Sequence, residues 1–120
     1  MSVTRSLRIL VVSDFLLMRQ ILRRHLERMG FYCVEECASG DHALSRLRGE
    51  HIRLVIIEWR IQSMTGAEFL QRIRADSRSV GVPVIVISPE NVPTTYPIAK
   101  PYYAETLRIA IDQTFQQGVP

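Results

Sequence analysis

The chain has 120 residues, 47% of them apolar and 22% charged, with a formal charge of +3 at neutral pH. That length supports one compact domain spanning residues 1–120 without disulfides or a structural metal, and the composition excludes a disordered, fibrous or low-complexity chain. No apolar run approaches the roughly 18 residues of a membrane span, and the opening MSVTRSLRILVVSD reaches an acid too soon for a signal peptide, so a cytoplasmic protein without membrane contact is expected.

Elements follow from periodicity. LRILVV, residues 7–12, reads as a strand, and Leu16, Leu17, Ile21, Leu22, Leu26 and Met29 recur at helical spacing after it. Gly30 is placed to close that helix, and a second strand runs from Phe31 to Cys37. SGDHALSRLRG reads as a helix with Ser39 as its N-cap and Gly49 as its stop. IRLVIIEW is a strand ending in a charge, and TGAEFLQRIRAD a helix with Ala67, Leu70 and Ile73 as its buried stripe. VPVIVIS, residues 82–88, is apolar on both faces and suits a central parallel strand. The last helix is AETLRIAIDQTF, with Leu107, Ala110, Ile111 and Phe115 on one side. Strands alternating with helices at this spacing give an α/β fold with a doubly wound parallel sheet.

Some residue groups carry no chemistry on this reading. Cys33 and Cys37 share one face of a strand at a separation of roughly 13 Å, too far for a disulfide, and read as buried thiols in preference to a metal pair. Fourteen of the fifteen basic residues are arginine, which singles out Lys100 as the only lysine. Arg19, Arg23, Arg24 and Arg28 read as a solvated helix face, with an anionic partner as the alternative. His25, His42 and His51 have no ligand spacing.

Ligands of a doubly wound sheet bind at the carboxyl ends of the strands, where Ser13, Asp14, Glu58, Ser88 and Lys100 followed by Pro101 fall. Through RILVVSD, LVIIEW with Met64 and Gly66, PVIVIS and AKP, the sequence resembles the bacterial response-regulator receiver domain over nearly its whole length, in the manner of chemotaxis regulators. The resemblance implies a flavodoxin-like five-stranded sheet of order 2-1-3-4-5. It also implies a site in which two acids after strand one and an acceptor aspartate on strand three hold Mg²⁺, while a hydroxyl and a lysine grip the phosphoryl group. Asp14 matches the second acid, Ser88 the hydroxyl, Lys100 the lysine and Pro101 the following proline.

The departures from that pattern are specific. Ser13 replaces the first acid and Glu58 the acceptor, one methylene or roughly 1.5 Å longer. A displacement of about 1 Å costs in-line transfer around a hundredfold, so weak acceptor activity is expected. Asp14 and Glu58 leave two carboxylates opposite Lys100 in place of three, with Arg60 at the position whose backbone carbonyl holds the metal in the family, so Mg²⁺ is expected to bind weakly or not at all. Glu58 is read as a lost acceptor or as a partial mimic of the phosphorylated state. Pro97 stands where the family carries an aromatic switch residue, and Pro89 stiffens the loop after Ser88. SPENVPTTYPIAK, residues 88–100, is too short and too rich in proline for the family's fourth helix, which is expected to be absent or replaced by a loop.

These features point to an atypical receiver that works by protein contact and is not an enzyme. A histidine kinase or a downstream effector is the expected partner, and homodimerisation through the altered fifth-strand region is a further route. A slow phospho-accepting receiver is the alternative. A nucleotide-binding flavodoxin-like module is weaker, since no glycine-rich loop follows strand one, and no nucleic acid partner is expected.

Overall fold

Strand sequences that are apolar on both faces can be satisfied only between two layers of helix, and that is where the central strands lie. The computed structural model describes residues 5–62, 64–87 and 104–117. β1 (Arg8–Val12), β2 (Cys33–Cys37), β3 (Leu54–Glu58) and β6 (Val84–Ile87) form one parallel sheet in the order β2-β1-β3-β6. Ile9, Val11, Ile56 and Ile85 point into a core shared with α1 (Leu16–Arg28) and α4 (Ala104–Gln117). Leu10, Val12, Val55 and Ile57 point to the other face, against α2 (Gly40–Gly49) and α3 (Gly66–Ala75). The doubly wound α/β arrangement is the expected one. Its first four strands stand in the expected order, and the expected fifth strand and absent fourth helix fall within residues 88–103, outside the described residues.

Local signals act as read. Gly30 adopts φ 98°, a conformation that costs other residues strain, and follows the C-cap Met29. Ser39 caps α2 by accepting from the His42 backbone N–H, as expected; Thr65 likewise caps α3 by accepting from that of Glu68, a cap the sequence reading did not assign. In α4, Leu107, Ala110 and Ile111 are buried, with Phe115 packed beside them.

Three expectations are corrected. Leu16 and Leu17 are exposed at 59% and 68%, because Met18, Leu22, Leu26 and Met29 form the stripe that meets the sheet and the two leucines lie roughly 100° or more around the helix from it. In α3 the buried face is Gly66, Phe69 and Ile73, whereas Ala67 is exposed and Leu70 half-buried. The large ring of Phe69 takes the core-facing position. β2 starts at Cys33, two residues later than read, with Phe31 buried in the connection before it. The sequence reading also passed over a two-stranded antiparallel hairpin, β4 (Arg60–Ile61) and β5 (Met64–Thr65), between β3 and α3.

Candidate functional site

The parallel register pairs Val12 with Ile57, so the next residues, Ser13 and Glu58, emerge side by side at the carboxyl edge. Both are buried, at 0% and 5% exposure. A carboxylate taken out of water must be hydrogen-bonded or neutralised, and here the Ser13 hydroxyl donates to Glu58 Oε1. Ser13 has its other polar groups engaged too. Its N–H donates to the Cys37 carbonyl at 3.1 Å, its hydroxyl oxygen accepts from Phe15 N–H at 3.1 Å, and its carbonyl accepts from Arg19 Nη1 at 2.7 Å. Arg19 in turn reaches Glu36 of β2 at 3.1 Å. The serine is thus fixed from three directions with its one hydroxyl proton aimed at the carboxylate.

Asp14 is exposed and faces elsewhere: its Oδ2 accepts from the Gln62 backbone N–H at 3.0 Å, which ties the end of β1 to the β4–β5 hairpin. That hairpin is held close by two glycines. The Gly66 N–H donates to the Trp59 carbonyl, and a Cβ at Gly66 would lie 3.3 Å from that oxygen and 3.2 Å from Val86. A Cβ at Gly40 would come within 2.6 Å of the Met64 sulfur. Trp59 continues the line of β3 and donates its N–H to the Ile87 carbonyl at 2.6 Å. The backbone of Arg60 lies in β4, opposite Thr65. Ser88, Lys100 and Pro101, together with Pro97, lie outside the described residues.

Mg²⁺ requires near-octahedral oxygen ligation with carboxylate charge, and the described donors at this edge are engaged within the protein. The Ser13 hydroxyl serves Glu58, the Asp14 carboxylate serves a backbone amide, and among the described residues no three His, Cys, Asp or Glu are grouped to hold a metal. Cys33 and Cys37 are both free thiols, and burial pushes the Cys37 thiol up, with the Glu50 charge adding to it. Phe15 is 64% exposed and, with Leu16 and Leu17, leaves an apolar surface beside the site.

Of the residues predicted for the site, Ser13 and Glu58 are brought into contact and Asp14 is turned to the hairpin. Sequence reasoning treated Ser13 only as a missing acid and overlooked its bond to Glu58, the grip of Arg19 and the amide of Gln62. The parallel register carried the signal for the first of these, because two neighbouring strands end in complementary polar residues at the same level.

The response regulator receiver domain model matches residues 9–111. The chain is 28% identical to the chemotaxis protein CheY of Pseudomonas aeruginosa, covering 92% of this chain and 98% of that one. It is 30% identical to the chemotaxis protein CheY-3 of Vibrio cholerae, covering 94% and 95%. Among solved structures it resembles the chemotaxis response regulator CheY4 of Vibrio cholerae, with a TM-score of 0.77 at 27% identity over 94% of this chain and 98% of that one. It shares the fold of the receiver domain of the Pseudomonas aeruginosa sensor histidine kinase PA1611, which holds a magnesium ion in its cleft, with a TM-score of 0.82 at 18% identity over 92% and 98%.

Proposed function

This chain belongs to the response regulator receiver domain family, and we propose that it signals through protein contacts without taking a phosphoryl group on Glu58. The observation that carries this reading is the hydrogen bond from Ser13 to Glu58 in a buried setting. An acceptor must present a free carboxylate oxygen in line with the donor phosphorus. Here one carboxylate oxygen is occupied by a hydroxyl, and the longer side chain displaces the group by about one carbon–carbon bond, roughly 1.5 Å. The neighbouring donor set, with Asp14 bound to an amide, supports a site that works without Mg²⁺.

On this reading the protein is a non-enzymatic docking module of two-component signalling that acts in the cytoplasm, with a histidine kinase or a downstream effector as its partner class. No helix among the described residues is long and apolar enough to cross a membrane. The exposed Phe15, Leu16 and Leu17 supply apolar area for a protein contact next to the site. Homodimerisation through the fifth-strand region belongs to the same reading.

The test is incubation with a small phosphodonor and Mg²⁺ followed by intact mass measurement. The expected result is an unchanged mass. A labile gain of about 80 Da on Glu58 overturns the reading and makes the chain a slow phospho-accepting receiver.

A further inference from the structure

We infer that the amino edge of the sheet, opposite the site, is a docking surface for a carboxylate-rich segment of a protein partner. Parallel strands all begin at one edge, and the helices that return between them end there. Arg53 directly precedes β3 and donates its N–H to the Arg8 carbonyl where β1 begins. Arg28 closes α1, preceded one turn earlier by Arg24. Tyr32, 71% exposed, directly precedes β2.

The acids on this edge are already matched. Glu50 is held by Arg8 and Arg46, Asp76 by Arg48 and Arg78, and Glu27 faces Arg23. Arg24, Arg28 and Arg53 are exposed and form no ion pair among the described residues. The edge therefore carries surplus positive charge. Helix C-termini attract cations, which accounts for Arg28 on structural grounds. It does not account for Arg53, which stands at the start of a strand.

Carboxylates on a protein fit this surface better than a polyanion does. Planar guanidinium forks recognise carboxylates bidentately, and the exposed Tyr32 adds an aromatic body of the type enriched in protein interfaces. The paired Glu27, Glu50 and Asp76 break the free positive charge into separate points, a spacing that suits discrete carboxylates better than the continuous charge of a nucleic acid backbone. Whether or not Glu58 accepts phosphate, the edge keeps this charge, so the two proposals fail separately.

The experiment measures binding of a fluorescently labelled peptide of alternating glutamate and leucine by anisotropy at low and physiological salt. The wild-type chain is expected to bind with an affinity that falls as salt rises, and Arg24→Gln/Arg28→Gln to weaken it about tenfold. Arg72→Gln/Arg108→Gln, which removes the same net charge elsewhere, is expected to change it less than twofold. Circular dichroism confirms that both variants remain folded. Equal loss in the two double variants overturns the inference by reducing it to net charge, as does no binding by the wild type. Tighter binding to a single-stranded oligonucleotide or to phosphatidylserine vesicles than to the peptide at matched charge overturns the assignment to a protein partner.

Discussion

The two edges of one parallel sheet solve the problem of charge in opposite ways. At the carboxyl edge a glutamate is sealed from water and bonded to a serine hydroxyl, whereas at the amino edge carboxylates sit partly in solvent between arginines. A buried acid depends on well-aimed donors and loses much when one of them changes. A half-exposed ion pair is screened, adds little, and can be altered cheaply. The first edge is consequently intolerant of substitution, and the second is free to acquire surplus charge.

The largest expected effect breaks this contrast at its buried end. Ser13→Asp in the presence of a chelator places a second carboxylate against Glu58 and is expected to cost about 3 kcal/mol, as an uncompensated buried charge does. Urea unfolding measures it as a lower midpoint with an unchanged slope. Adding Glu58→Asp to that variant gives three clustered acids with Asp14, and this double variant is expected to bind Mg²⁺ measurably by titration. Glu58→Asp alone is expected not to, since it supplies neither ligand nor charge. Trp59, beside Glu58, serves as the fluorescence reporter.

A smaller loss is expected from Ser13→Ala, which leaves Glu58 without that donor: about 1–3 kcal/mol, seen as a fall in thermal midpoint. Glu35 provides the counterpart. Its carboxylate meets Arg8 at 2.5 Å and also Arg46, with side chains 17–37% exposed, and Glu35→Gln is expected to cost about 1 kcal/mol or less, shrinking further in high salt.

Asp76 gives the smallest effect, one present at neutral pH and lost in acid. The Arg78 guanidinium and backbone amide, with Arg48, hold its carboxyl at about 2, below the ordinary value of 3.8. A carboxyl depressed in the folded state lends stability that is complete above the unfolded value and is lost as pH falls toward the folded one. Asp76→Asn is therefore expected to lower stability at pH 7 by a small, salt-screened amount and to flatten the loss between pH 4 and about 2, so that variant and parent converge in acid. Urea melts at each pH check this.

Much of the fold was legible because burial on both faces writes continuous apolar strands, and the Ser39 cap and the left-handed Gly30 mark helix ends chemically. Leu16, Leu17 and Ala67 misled because spacing alone admits two stripes on one helix, and only the sheet beneath selects between them. The β4–β5 hairpin was illegible because two-residue strands carry no period. In the site, Glu58 and Asp14 were legible as residue types at strand ends. Their bonds were not, because the partners are a hydroxyl and a backbone amide, and an amide has no letter in a sequence.

The bond between Ser13 and Glu58 also ties the two positions to each other. Placing aspartate at both takes two substitutions, and neither single step is expected to be neutral. Shortening Glu58 first withdraws its oxygen from the hydroxyl that Arg19, Phe15 and Cys37 hold in place. Changing Ser13 first sets two acids face to face. The two positions are therefore expected to couple, each substitution changing the cost of the other.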